Sequence, residues 1–236
     1  MAAEQRHFFP VPVVAAWDET PLLRGVRLDL SSLRLHHERP GQLLQLRLPG
    51  GEVGHFALAT APASHGQEEL LLRRGSAPVD ELIAALGPGA QVEVTAPFGP
   101  GFPIEAADGR HVLMVATGSG ITPLRALLQN LLERRGDLRT VKLFHGQRTA
   151  DGFPYSKEYQ RWREAGLDLH LVCSRADPTW TGERGYVQDS LGTEIVHHAI
   201  AGDTVAYLCG VDGMVSAVRD LLLSAKLPPE RILLNH

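Results

Sequence analysis

The sequence predicts two domains of different fold class: an antiparallel β-barrel over residues 1–105, followed over residues 106–236 by a doubly wound α/β domain with a parallel sheet. Short runs of alternating apolar and polar residues fill the first part, as in half-buried antiparallel strands. In the second part continuous apolar runs alternate with helical stretches, as in a parallel sheet covered on both faces. Proline and glycine crowd residues 96–103 between them, which is typical of a domain border.

Composition excludes several functional classes. The 23 lysines and arginines nearly balance the 27 acidic residues, giving a net charge of −4 without long runs of either sign, so we expect no nucleic-acid partner. Two cysteines, Cys173 and Cys209, are too few for an iron–sulfur cluster held by four cysteines. The histidines show no metal-ligand spacing, so no metal is expected. No apolar stretch is long enough to span a bilayer, and we expect a cytoplasmic protein without membrane insertion.

The predicted barrel consists of strands of about five residues separated by glycine, proline and polar turns. Six runs have this character: residues 11–17, 25–30 and 44–48, and three runs seeded by Leu58, Leu70 and Val92. One helix is expected over residues 79–86, where Gly-Pro-Gly follows and ends it.

The second domain is predicted as alternating strands and helices. The strands are expected over residues 112–117, 141–145, 167–172 and 205–209, with a final strand at 232–234. The helices are expected over residues 124–135, 156–165, 187–191 and 214–225.

The first strand of this domain runs into Thr117-Gly118-Ser119-Gly120-Ile121-Thr122-Pro123. The two glycines remove Cβ atoms where the backbone turns, so that a phosphate can approach the amide groups. Thr122 is the expected N-cap and Pro123 the first helical residue. The positive end of the helix dipole then faces the turn, which favours an anion, most commonly a dinucleotide pyrophosphate. Taken alone, the turn fits an ordinary strand-to-helix connection equally well.

Three blocks carry a family resemblance that covers nearly the whole chain and is strongest after residue 110. The glycine turn at 117–123 looks like a pyrophosphate loop, and residues 207–214 look like a cysteine–glycine motif at which nicotinamide meets a flavin. Residues 185–188, with the preceding 179–182, form the third block. In these blocks the chain resembles the ferredoxin–NADP reductase superfamily, in which a flavin-binding barrel precedes a nucleotide-binding domain.

The resemblance implies an NAD(P)H-dependent, FAD-containing oxidoreductase that passes hydride to flavin and electrons to a separate protein or small-molecule acceptor. It implies that Cys209 lies near the reacting nicotinamide carbon, which makes it the candidate catalytic residue; the alternative is a small buried side chain. Gly210, Asp212, Gly213 and Met214 complete the candidate cofactor-binding residues of this segment, although Met214 also suits a helix core. The protein chemistry is limited to positioning, because the flavin handles the electrons.

The choice of nicotinamide cofactor depends on charge near the adenosine ribose. Ser174, Arg175, Arg184 and Tyr186 resemble the residues with which NADP-using members receive the 2′-phosphate and adenine. Guanidinium groups bind a phosphate through charge-assisted hydrogen bonds. Asp177 lies nearby and would favour NAD, and the two arginines are alternatively solvated surface charges. We expect NADP, with NAD as the alternative.

The flavin segment departs from the family pattern of arginine, any residue, tyrosine, then serine or threonine. Gly54-His55-Phe56-Ala57 stands there instead, so the arginine and the hydroxyl are missing. Phe56 can still stack on the flavin; the alternative is core packing in an alternating strand. Losing one bidentate arginine costs about 1.5–3 kcal/mol, so we expect loosely held flavin. The candidate flavin-binding residues are Phe56, Ala57, Leu58, Ala59 and Thr60, with Gly75, Ser76 and Ala77 offering amide groups before a helix.

Two other functions stay open because of this departure. One is a nucleotide-binding regulatory or electron-transfer subunit without turnover of its own. The other is a flavin reductase that takes free flavin as a diffusible substrate. The resemblance also places a C-terminal aromatic ring over the flavin, for which His236 is a weak substitute; the alternative is a disordered tail. The oligomeric state is not predicted.

Overall fold

The computed structural model describes residues 6–33, 37–62, 66–198 and 202–235, and His236 lies outside them. It contains two six-stranded sheets, and it confirms an antiparallel barrel followed by a parallel, helix-covered sheet. Within these residues every helix is too short or too polar to cross a bilayer.

The first sheet has the strand order β4-β3-β6-β1-β2-β5. Its strands are β1 (Phe8–Thr20), β2 (Leu23–Asp29), β3 (Leu43–Arg47), β4 (Val53–Ala57), β5 (Gln67–Arg73) and β6 (Gln91–Thr95), with helix α1 (Ala77–Ala85) between the last two. All pairings in this sheet are antiparallel. The prediction of a strand around Leu58 was wrong. Strand β4 ends at Ala57, and the Leu58 amide instead donates to the Gln42 carbonyl at 3.0 Å.

The second sheet has the order β10-β9-β8-β7-β11-β12 and is parallel throughout. Its strands are β7 (His111–Thr117), β8 (Val141–Gln147), β9 (Leu167–Cys173), β10 (Glu183–Arg184), β11 (Thr204–Cys209) and β12 (Ile232–Leu234). The helices are α2 (Ile121–Glu133), α3 (Tyr159–Glu164), α4 (Val187–His198) and α5 (Asp212–Ser224). Side chains of α2 and α3 pack on one face of the sheet and those of α4 and α5 on the other.

Several helix boundaries differ from the prediction. Thr122 is not the N-cap, because a 3-10 turn over Gly118–Gly120 runs directly into α2 and Gly120 already has helical φ and ψ. Helix α3 is shorter than expected, since a 3-10 turn at Ser156–Glu158 replaces its start. Helix α4 instead continues well past the predicted end.

Arg125 on α2 joins the two domains. Its guanidinium group donates to the Glu69 carboxylate at 3.0 Å and the Ala59 carbonyl at 2.8 Å, both in the barrel. It also donates to Glu158 at 2.6 and 2.8 Å and lies 4.5 Å from the centre of the Tyr155 ring. Burial by itself would lower the pKa of Arg125, and the interactions with Tyr155 and with the Glu158 and Glu69 carboxylates outweigh this and raise it. The side chain is only 9% exposed, so the ion pairs are shielded from water.

Replacing Arg125 with methionine should lower the free energy of unfolding by about 3–5 kcal/mol, because Glu69 and Glu158 lose their buried counter-charge. The two carboxylates keep ion pairs with the more exposed Arg27 and Arg161. Urea unfolding measures this. Arg161→Met is the matched control, since Arg161 also pairs with Glu158 but its side chain is 71% exposed. Its unfolding midpoint should stay close to that of the parent chain. Equal loss in the two variants would contradict the assignment of Arg125 as the domain link.

Candidate functional site

A cavity of about 380 Å³ lies where the carboxyl ends of β7, β8 and β9 meet the barrel. Thr117, Gly118 and Ser119 line it from the glycine loop, and Leu22 and Arg73 line it from the barrel side. Open parallel sheets bind their ligands at this edge, because loops and helix N-termini converge there. The structure thus places the predicted glycine loop at a cavity between the two domains.

The two loop glycines are required for different reasons. Gly118 has a φ of +59°, and a Cβ there would meet no atom within 4 Å, so its backbone faces open space. A Cβ on Gly120 would lie 2.3 Å from the carbonyl oxygen of Cys209 and 2.8 Å from the Cα of Gly210. Gly118 therefore leaves room for a ligand, and Gly120 allows β7 and β11 to end in direct contact.

Thr117 strengthens the junction between the glycine loop and the cysteine–glycine segment. Its hydroxyl accepts a hydrogen bond from the Val211 amide at 3.2 Å. A Cβ on Gly210 would come within 2.2 Å of that hydroxyl oxygen. The two motifs that the sequence singles out are therefore joined by main-chain and hydroxyl contacts.

Cys209 ends β11 beside this junction and is half-buried. Burial raises the pKa of its thiol to about 11, so the sulfur is protonated at neutral pH. A neutral thiol is a compact, polarisable contact rather than a nucleophile or base. Met214, in the first turn of α5, is buried in the core and also lines the cavity. Asp212 and Gly213 at the start of the same helix are exposed.

The predicted adenosine-binding residues are only partly brought together. Ser174 and Tyr186 line the cavity. The Arg184 guanidinium instead donates to three backbone carbonyls, those of Ala176, Asp177 and Trp180, at 2.9–3.2 Å. Arg175 is exposed and does not line the cavity.

Arg148 is a basic residue at the cavity that the sequence analysis missed. It directly follows β8, at the same sheet edge as the glycine loop. That position after a parallel strand was the available signal, because side chains following such strands face the ligand edge. The carboxylate of Asp177 is engaged locally, since hydrogen bonds from Thr179 lower its pKa.

The predicted flavin residues have mostly internal contacts. The Phe56 ring covers Gly54, where a Cβ would lie 2.5 Å from it, and packs against the barrel core. Leu58 and Ala59 are fully buried. The Thr60 hydroxyl donates to Glu68, a buried carboxylate that also pairs with His37 at 3.0 Å.

The start of α1 offers a partly occupied anion site. Gly75 has a φ of +116° with open space around it, and the Ser76 side chain makes no capping bond. The Gly75 amide, however, donates to both carboxylate oxygens of Asp80, at 3.1 and 3.2 Å. The segment up to Ala77 therefore fits a phosphate sterically, with one of its amides already taken by a carboxylate.

No group of three or more histidine, cysteine, aspartate or glutamate side chains is arranged to hold a metal ion in the described part of the chain.

Comparison with known proteins gives consistent matches. Residues 114–220 match a family described as oxidoreductase NAD-binding domain. Over 223 residues the chain is 32% identical to ferredoxin–NADP reductase B of Sorangium cellulosum, covering 90% of each chain. It is 29% identical over 222 residues to the reductase component of phenol 2-monooxygenase from Pseudomonas sp., covering 91% of this chain and 61% of that longer protein.

A solved structure extends the likeness to the fold. A ferredoxin NADP⁺ reductase from Neisseria gonorrhoeae with bound FAD and NADP superimposes with a TM-score of 0.79. The match covers 94% of this chain and 92% of that chain, at 21% identity. The two domains of this chain therefore have the architecture of that reductase.

Replacing Gly120 with alanine should lower the free energy of unfolding by about 1–3 kcal/mol, because the new methyl group overlaps the Cys209 carbonyl. Thermal or urea unfolding measures the change. Gly136→Ala is the control, since a Cβ there meets no atom within 4 Å. If both variants unfold like the parent chain, β7 and β11 do not approach each other as described.

Proposed function

Because the chain belongs to the ferredoxin–NADP reductase superfamily of NAD(P)H-dependent flavin oxidoreductases, we propose that the cavity at the ends of β7, β8 and β9 binds the nicotinamide dinucleotide. The chain is an oxidoreductase that passes hydride from NAD(P)H to FAD and electrons to a separate acceptor. The contact of Gly120 with Cys209 carries the proposal for the cavity, because it joins the two candidate binding segments at one place.

The glycine loop holds the diphosphate through its main chain. Ile121, Thr122 and Pro123 have buried side chains, so this first turn of α2 contributes backbone and dipole rather than side-chain contacts. The amides of Gly118 and Ser119 precede that turn at the cavity wall. Together they present N–H groups and the positive end of a helix dipole to an anion.

Cys209 does not line the cavity itself, whereas Val211 and Met214 of the same segment do. With its thiol protonated, Cys209 exchanges no proton with the substrate and leaves a compact apolar contact beside the proposed nicotinamide site. Gly210 keeps the adjacent backbone free of a side chain, so a flat ring can approach it. When bound, the flavin supplies the hydride acceptor and stores the electron pair.

Phe56, Ala57, Gly75, Ser76 and Ala77 would hold the flavin. The open space at Gly75 and the uncapped helix α1 suit its phosphate groups, while Asp80 competes for the Gly75 amide and repels negative charge. This contact supports a second candidate function in which the flavin exchanges with solvent and acts as a diffusible substrate.

The electron acceptor is a separate molecule. The chain has two cysteines, which cannot ligate a four-cysteine cluster that would carry the electrons further. We propose a protein acceptor, as the names of the ferredoxin reductase and monooxygenase reductase relatives indicate for those proteins. Both cysteines are free thiols, in keeping with a cytoplasmic location.

The proposed function is tested by purifying the protein and mixing it anaerobically with NADPH. A flavin absorbance band that survives desalting and bleaches with NADPH indicates a resident FAD. Bleaching and diaphorase activity that need added FAD indicate exchangeable flavin. A colourless protein without diaphorase activity at saturating FAD would overturn the enzymatic function and favour a non-autonomous subunit.

Arg148→Gln should lower the ratio of kcat/KM for NADPH to that for NADH by about tenfold, because one charge-assisted contact to the 2′-phosphate is lost. Steady-state kinetics with both cofactors measure the ratio. Arg184→Gln should change it less, since that guanidinium is engaged by three carbonyls. Arg139→Gln, which removes an exposed partner of Asp203, is the control. If the NADPH/NADH ratio of kcat/KM fell in Arg175→Ala and not in Arg148→Gln, the role of Arg148 would be contradicted. That result would support the arginine pair expected from the sequence.

A further inference from the structure

The carbonyl group of Gly118 is held from the neighbouring strand. The side-chain amide of Gln147, the last residue of β8, donates to this carbonyl at 3.2 Å. Nε2 of His145 lies 3.3 Å from the same oxygen. A carbonyl oxygen has two lone pairs and can accept both bonds. Two side chains of one strand therefore fix the direction of a single peptide group in the glycine loop.

This peptide group determines what the loop presents to the cavity. A trans peptide points its C=O and the following N–H in opposite directions, and no cis peptide occurs in the described residues. With the Gly118 carbonyl directed at His145, the N–H of Ser119 points away from it, and Ser119 lines the cavity. A reversed peptide would present carbonyl lone pairs to an anion instead. Gly118, at φ +59°, lacks the Cβ that would restrain such a reversal.

His145 is suited to a permanent structural contact. It is fully buried, its ring lies edge-on to Phe153 at 5.2 Å, and burial lowers its pKa to about 4. The ring is therefore neutral in the physiological range. In the Nε2–H tautomer it donates to the Gly118 carbonyl, and in the Nδ1–H tautomer its Nε2 accepts from the Gln147 side-chain amide, whose nitrogen lies 3.2 Å away. Either bond supports the contact of β8 with Gly118, while Nδ1 has no partner among the described residues.

Gln147 also contacts the adenosine end of the cavity. Its backbone carbonyl accepts a hydrogen bond from the Ser174 amide at 2.9 Å. One residue thus holds the glycine loop with its side chain and Ser174 with its main chain. A change of the side chain leaves the second contact in place, so the two ends of the cavity can be tested separately.

We infer that Gln147, assisted by His145, is a positioning residue that keeps the Gly118–Ser119 peptide oriented to donate to the diphosphate of the bound nucleotide. The inference rests on the proposed function. Gln147 itself lines the cavity and His145 does not, so the same selective loss in variants of both residues distinguishes positioning of the loop from a direct contact of Gln147 with the ligand. Removal of either side chain should weaken ligands that carry a diphosphate and spare those that lack it.

Gln147→Met, which keeps the side-chain length and removes the donor, tests this by isothermal titration with two ligands. NADP⁺ should bind about tenfold more weakly, as for one lost hydrogen bond that also frees the peptide to turn. 2′-AMP, which has no diphosphate, should stay within about twofold of its affinity for the parent chain. His145→Phe, which keeps the ring against Phe153, should weaken NADP⁺ in the same selective way. Gln160→Met, at an exposed glutamine of α3, is the matched control.

The outcomes separate the inference from the proposed function. Unchanged NADP⁺ affinity in Gln147→Met, or equal weakening of both ligands, would overturn the positioning role while leaving the cavity assigned. A parent chain that binds neither NADP⁺ nor NADH would overturn the proposed function and this inference with it. A thermal melt of each variant shows that a selective loss does not arise from unfolding.

Discussion

The site depends on the close approach of two backbones, at Gly120 and at Cys209–Gly210. No other residue type fits at Gly120, because its Cβ position is 2.3 Å from a carbonyl oxygen. This contact brings the ends of the neighbouring strands β7 and β11 together, with Thr117 bonded to Val211 beside it. The glycine loop and the cysteine–glycine segment are consequently held against each other, with Gly118, Ser119, Val211 and Met214 from these two segments lining the cavity.

Helix α2 connects this contact to the barrel. It begins at Ile121, directly after the glycine loop, and Arg125 follows one turn later on the same face. Arg125 is bonded to the barrel through Glu69 and Ala59. Only one helical turn therefore separates the nucleotide loop from the domain contact. A relative movement of the domains would break buried ion pairs, which explains how a reductase of this architecture can keep two cofactor segments in register.

The sequence was sufficient for the fold because apolar periodicity reflects burial. The central strands were predicted nearly to their ends, since runs such as residues 112–117 are covered on both faces. Strand β10 was missed, because two residues bonded at a sheet edge leave no periodic signal. The prediction of an N-cap at Thr122 was wrong, because capping preferences of single residues do not show that a 3-10 turn already precedes the helix. Arg148 was overlooked in favour of Arg184, since only tertiary contacts show that the Arg184 guanidinium is engaged by backbone carbonyls.

In the segment proposed to bind flavin, polar groups that are already hydrogen-bonded within the chain limit the binding of the flavin. Thr60 is bonded to Glu68 and the Gly75 amide to Asp80, so a flavin phosphate must compete with contacts that the chain already makes. Without an arginine, the proposed binding of flavin is weaker by about 1.5–3 kcal/mol, and the Asp80 carboxylate repels the flavin phosphate groups. A Cβ on Gly118 would meet no atom within 4 Å, so the backbone of the glycine loop is open to the cavity there. In the proposed assignment, flavin binding therefore depends mainly on ring stacking and shape, which favours exchange of the flavin with solvent.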